Sequence, residues 1–138
     1  MSRAIRRWPV LLAAGAAGVV LCGCASVGER EDSAARAVER FEADLEEGDG
    51  ESACSALAPG TLEEFEDSAE TACPRALADA GLPEGGPTRR VDVYGREARV
   101  VLGGDTLFLS TFPDGWKITA AGCESRTGQP YKCLVKGA

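Results

Sequence analysis

The 138-residue sequence contains no histidine. That side chain is the usual proton carrier near neutral pH and the usual base beside a serine or cysteine nucleophile, so its absence removes every Ser-His and Cys-His arrangement. No C-x₂-C spacing follows Cys24, which removes the common thiolate metal site and the common dithiol redox pair, and no metal or other cofactor is expected. Basic residues are in the minority, 15 Lys and Arg against 22 Asp and Glu, for a formal charge of -7. Such a surface repels phosphate backbones and anionic headgroups alike, so nucleic acid is excluded as a partner and electrostatic adsorption to a membrane is disfavoured. An apolar run of about 20 residues, the length that spans a bilayer as a helix, is missing too: the longest, residues 8–21, has 14.

What is present suits one small folded domain. A hydrophobic content of 44% with 27% charged residues is enough to build a core, and the length leaves no room for a second domain. The charge is lopsided. Residues 29–70 hold 15 acids and three arginines, whereas residues 88–138 hold five acids and eight basic residues.

Residues 1–23 form a leader: a basic start at Arg3, Arg6 and Arg7, the apolar run, and a small residue before Cys24. The segment Leu21-Cys22-Gly23-Cys24 resembles the bacterial lipobox, in which the final cysteine is acylated and becomes the mature N-terminus. Cys22 departs from the usual Ala or Ser but is also small. The resemblance implies cleavage before Cys24, a diacylglyceryl anchor on its sulfur, and a location on the extracytoplasmic face of the cell membrane. Two acyl chains hold stably where one holds marginally. Residues 24–31 are then the lipidated N-terminus and a short spacer, and residues 32–138 the domain. Loss of the leader takes three positive charges with it, and the mature chain carries 12 basic against 22 acidic residues, or -10.

Processing leaves Cys54, Cys73, Cys123 and Cys133, an even number in an exported chain, which points to two disulfides. Of three connectivities, the sequential one, Cys54 with Cys73 and Cys123 with Cys133, keeps each link within one structural half. Each loop is expected to contribute about 2 to 4 kcal/mol.

Asp32 or Ser33 is placed to cap a first helix with Ala34, Val38, Phe41 and Leu45 inward and Gly48 as its stop. A second helix from Asp49 carries Ala53, Cys54 and Leu57 up to Pro59 and Gly60. Thr61-Leu62-Glu63-Glu64 has the capping-box pattern for a third with Leu62 and Phe65 inward, and Pro74 suits the first turn of a fourth, stopped at Gly81. After a linker at residues 83–87 the period becomes alternating, with Val91 and Val93, then Ala98, Val100 and Leu102, on single faces. Turn signals at Gly103-Gly104-Asp105 and Pro113-Asp114-Gly115 separate further strands, the last over residues 131–136. Helices followed by an antiparallel meander make an α+β fold.

The stretch Phe41-x₃-Leu45-x₂-Gly48-Asp49-x₃-Ala53-x₃-Leu57-x-Pro59, followed by a sheet ending in Gly115-Trp116-Lys117-Ile118, resembles the NTF2-like superfamily, in particular its small actinobacterial lipoproteins with a cystatin-like α+β domain. The resemblance implies a curved sheet wrapped on the helices as a cone, with a pocket that in other members serves binding or catalysis. Phe41, Phe108, Phe112 and Trp116 are the candidate pocket lining, though in a small domain large side chains go first to the core. The function expected is non-catalytic: holding a small apolar ligand or contacting an envelope protein. The alternative is an isomerase or hydratase using a pocket carboxylate, with Asp92 beside Tyr94, or Asp105, as the base. Asp92 alternates away from Val91 and Val93, so it faces water if they face the pocket, and no catalytic residue is assigned. The acids Asp44, Glu46, Glu47, Asp49 and Glu51 lack the EF-hand spacing and read as a solvated helix end.

Overall fold

A computed structural model describes Gly18 and residues 25–137. The expected leader, residues 1–23, and the expected acylation site, Cys24, lie outside that continuous described stretch. Four helices, α1 (Val27–Glu47), α2 (Gly50–Ser55), α3 (Pro59–Ala69) and α4 (Cys73–Asp79), precede five strands, β1 (Thr88–Tyr94), β2 (Glu97–Leu102), β3 (Thr106–Phe112), β4 (Gly115–Arg126) and β5 (Gln129–Lys136). The strands form one open antiparallel sheet in the order β1-β2-β3-β4-β5, each paired with its neighbour in sequence. The fold is α+β. Among the described residues no helix is long and apolar enough to cross a membrane.

The first helix begins earlier than Asp32. Ser26 is its N-cap, accepting from the Glu29 amide, while the Glu29 carboxylate accepts from the Ser26 amide at 2.6 Å. This reciprocal box satisfies two amides that a helix start leaves free, and it outcompetes Asp32 and Ser33, which lie inside the helix. The spacer assigned to residues 24–31 therefore shrinks to Ala25 and Ser26 among described residues. Thr61 corrects a second boundary: it is buried inside α3, where its hydroxyl donates to the Thr119 carbonyl at 3.2 Å. Pro59, rather than ending the previous helix, opens α3 at a position where a missing amide proton costs nothing. Leu57 is corrected as well. The helix stops at Ser55, and Leu57 lies in a short parallel bridge to Ile118, with the Ala58 amide donating to the Ile118 carbonyl at 2.8 Å and the Ile118 amide to Ala56 at 2.9 Å.

The core lies between the helices and one face of the sheet. Val38, Phe41 and Ala34 from α1 meet Val100, Leu107, Leu109 and Ile118 from the strands, all of them buried. Burial of a side chain the size of Phe41 stabilises by about 2 to 3 kcal/mol, so this contact fixes α1 across the sheet. Two disulfides add covalent links: Cys54 to Cys73, both buried in the core, within the helical half, and Cys123 to Cys133 between paired positions of β4 and β5.

Candidate functional site

The C-terminal half of α1 forms one wall of a cavity of about 400 Å³, with α4 and residues 81–84 opposite. Local chemistry explains its position. Gly48 takes the left-handed conformation that ends α1, and Asp49 then caps α2, its Oδ1 accepting from the Ser52 amide at 3.1 Å. The Cys54–Cys73 link holds α2 against the start of α4. Pro74 approaches the chain so closely at Gly50 that a Cβ there would lie 2.9 Å from it, so the reversal needs glycine. The result is a concavity with apolar Leu45, Leu77, Leu82, Pro74 and Pro83 and acidic Glu42, Asp44, Glu46 and Glu84 on its walls.

Glu42 is the chemically unusual member. The strap at residues 83–87 crosses over its carboxylate, and the Gly85 amide donates to Oε2 at 3.2 Å. A Cβ on Gly85 would sit 2.6 Å from that oxygen and 2.5 Å from the Leu102 side chain, so a larger residue here would have to displace both side chains. Burial, with the negative charges of Asp105 and Glu46 adding to it, pushes the carboxyl up from 4.5 to about 7, against the pull of the Gly85 hydrogen bond. No side-chain cation is among the residues lining this cavity.

Asp105 is a different kind of acid. Its Oδ1 accepts from the Thr106 and Cys123 amides at 2.6 and 3.0 Å, and its Oδ2 from Gly122 at 3.0 Å. Burial raises its pKa, and the three amides pull it back. Its two oxygens are occupied in tying the turn before β3 to β4, which is a structural task rather than that of a free base.

The remaining residues singled out in the sequence are dispersed. Phe41 is completely buried in the core, and none of Phe41, Phe108, Phe112 and Trp116 lines the cavity beside Glu42. Phe108 lies opposite Arg99, in the register that alternates with buried Val100 and Leu107, and thus on the sheet face away from the helices, where its ring meets Tyr131 edge-on at 5.0 Å. Phe112 lies two and four residues further along the same alternation as Ser110 and Phe108 and is half-buried. Trp116 lines a second concavity of about 360 Å³ with Ala37, Arg40 and Lys117, and the Arg30 guanidinium sits 5.5 Å from its ring centroid. Asp92 also lies on the outer face, paired with Arg99 at 2.7 Å and Arg90 at 2.8 Å. Hydrogen bonds from Arg99 and then Arg90 hold its pKa below the ordinary carboxylate value, the opposite of what a base working near neutrality requires. Among the described residues no group of three or more Cys, Asp or Glu converges as a metal site.

Glu42 is absent from the candidates read in the sequence, yet a signal exists. It stands four residues after Val38 and three before Leu45, on the edge of the apolar stripe of α1 where an acid is out of place. Its partner in burial, Gly85, lies 43 residues away and carries no such mark. Comparison with known proteins finds no match: no family model, no curated sequence and no solved structure.

Proposed function

We propose that this chain is a lipid-tethered binding module of the bacterial envelope, cut before Cys24, anchored by a diacylglyceryl group to the extracytoplasmic face of the cell membrane, and holding a small ligand in the cavity beside Glu42. The NTF2-like cone belongs to the same proposal, although the cavity beside Glu42 is lined by the helices and residues 81–84 and by no strand residue. The observation that carries the binding reading is the cavity itself. At about 400 Å³ it has the size of small-molecule sites, and its lining joins apolar Leu45, Leu77, Leu82, Pro74 and Pro83 to four acids. The carboxylates on its walls disfavour an anionic ligand and leave a neutral or cationic one with an apolar body. A protein partner is less well supported, because among the described residues the exposed large apolar side chains are Val27, Tyr94 and Leu134, and the latter two stand on opposite edge strands of the sheet. With α1 starting at Val27, the lipid would lie at most about 7 to 11 Å of chain from the helix. Glu42 would then stand roughly 22 Å further along the axis of α1.

Glu42 favours a second reading, an isomerase or hydratase, because a carboxyl near neutrality suits a general base. Binding is preferred because the lining offers no hydroxyl, amide or cationic side chain to stabilise an oxyanion.

The test uses the full chain purified from membranes. Mass spectrometry is expected to find the diacylglyceryl mass on Cys24, and the neutral apolar probe N-phenyl-1-naphthylamine is expected to gain fluorescence on binding. Ala78→Trp places an indole into the cavity from an exposed position and should weaken probe binding at least about tenfold with little change in stability. An unmodified Cys24 overturns the anchor; equal probe binding by the variant overturns the site.

A further inference from the structure

We propose that the end of the domain where α1 begins is a membrane-facing rim, on which the start of α1, the β1–β2 turn and the β3–β4 turn rest against the lipid interface beneath the anchor. The inference goes beyond ligand binding and rests on the anchor at Cys24 for its consequence, the orientation of the cavity.

Antiparallel pairing puts the three elements at one end. In a meander the turns after β1 and β3 fall on the same side of the sheet, and the turn after β2 on the other. Arg96 ties the near pair together: its carbonyl accepts from the Thr111 amide at 2.8 Å, and its guanidinium donates to the Thr111 carbonyl at 2.7 Å. The first turn of α1 joins them through Arg30, whose guanidinium donates to the Gly95 carbonyl and sits over the ring of Trp116 at the start of β4. Glu42 belongs to the opposite end. The Gly85 amide donates to it, and the Gly85 carbonyl accepts from Gly104 in the β2–β3 turn at 2.8 Å.

The rim carries the two most exposed large apolar side chains among the described residues, Val27 in the first turn of α1 and Tyr94 at the end of β1, each 61% exposed. Exposed Pro113 and half-buried Phe112 stand near the end of β3, two strands or about 10 Å across the sheet from Tyr94. A tyrosine ring, apolar in body and polar at its tip, suits the boundary between acyl chains and headgroups. The charges beside these residues are occupied within the protein. Arg30 and Arg96 donate to carbonyls, Glu29 accepts from the Ser26 amide, Glu97 accepts from the Ser110 hydroxyl at 2.7 Å, and Asp114 pairs with Lys117 at 3.2 Å. The attraction is therefore apolar, and the acidic surplus of the chain favours a neutral headgroup over an anionic one.

The occupant follows from where the chain leads. The continuous described stretch begins at Ala25, one position after Cys24, and Val27 opens α1, so the acyl chains would enter the bilayer within about 7 to 11 Å of the rim. A tether this short holds the rim near the lipid at an effective concentration in the millimolar range. Adsorption too weak for a free protein to show is then enough to orient a tethered one. No second copy and no protein partner has that advantage. Docked in this way, α1 points away from the bilayer, and the cavity beside Glu42 lies at the far end, on the aqueous side.

The experiment places the full chain purified from membranes in phosphatidylcholine nanodiscs with nitroxide-labelled headgroups and reads the broadening of backbone amide resonances. The expected result is broadening of Gly95, Arg96 and Gly115 several-fold above that of Gly103 and Gly104. In the double variant Val27→Ser with Tyr94→Ser the difference should vanish, as the domain tumbles on its tether. Both side chains are exposed, so the fold is retained, and Leu134→Ser, which removes an exposed leucine from β5, should keep the wild-type pattern. Uniform broadening in the wild type, or loss of the pattern in Leu134→Ser, overturns the rim and leaves the anchor standing. Shifts of Gly95 that grow with protein concentration, without headgroup broadening, assign the patch to a second copy and overturn the lipid reading. End-selective broadening with no diacylglyceryl mass on Cys24 keeps the rim and removes the anchor. Absence of both the mass and any broadening removes the two together.

Discussion

Two acids, buried Asp105 and partly buried Glu42, show how differently a carboxylate withdrawn from solvent can be used. Asp105 receives three backbone amides, and removing it leaves those donors buried without partners, each at a cost of about 1 to 3 kcal/mol. Asp105→Asn is expected to lose about 3 kcal/mol, because an amide presents its NH₂ to at least one of the three N–H groups; chemical denaturation in urea measures it, and a loss under 1 kcal/mol would show that water replaces the carboxylate. Glu42 receives one amide and has two negative neighbours, Asp105 and Glu46, so its removal relieves the fold rather than wounding it. From the sequence, Asp105 stands out only as a turn residue after two glycines, and Glu42 only as a misplaced acid on an apolar stripe. Neither role is local. The amides of Gly122 and Cys123 and the strap at Gly85 reach these carboxylates through tertiary contacts that no spacing rule encodes.

At the level of elements, the change of period at Thr88 marks where the sheet begins and the turn residues before β3 and β4 place those two strands, since alternation and turn chemistry are short-range properties, while the turns at Gly95 and Gly128 are found only in the fold. Helix starts are less legible because two identical patterns compete. Ser26-x-x-Glu29 and Thr61-x-x-Glu64 both read as capping boxes, and only the first is one; Pro59 pre-sets the entry to α3 two residues before Thr61 and takes its place. The Cys54–Cys73 link matters here because α2 is six residues and α4 seven, too short to persist alone. Replacing both cysteines by alanine should lower stability by about 3 kcal/mol through the freed loop. The loss should be concentrated at the cavity: exchange of amides in residues 50–55 and 73–79 rises, while that of β2 and β3 is unchanged. Uniform loosening of the sheet would mean that the staple supports the whole fold instead of this corner.

For the molecule as a whole, the perturbed carboxylates set a stability profile with an acidic optimum. Between pH 4.5 and about 7 the folded chain holds the Glu42 proton and the unfolded chain does not, so stability falls as pH rises through this window, with the full penalty present above it and none below. Asp105 is raised too and acts in the same sense. Asp92, Asp49 and Glu29 act oppositely: their hydrogen bonds lower them, the stability they add is present above their ordinary values of 3.8, 3.8 and 4.5, and it is lost as pH falls through their lower folded values. The urea midpoint is therefore expected to peak near pH 5 and decline toward pH 8. Glu42 is only partly buried, so solvent screening reduces its share of that decline to about 1 to 2 kcal/mol. The net charge of -7 complicates the reading, since self-repulsion also grows with pH. Two variants separate the causes, because Glu42→Gln and Glu47→Gln remove the same charge, one from beneath the strap and one from the exposed end of α1. Glu42→Gln should flatten the decline, and Glu47→Gln should leave its slope nearly intact. Equal flattening by both would assign the profile to overall charge and deny Glu42 any cost of burial.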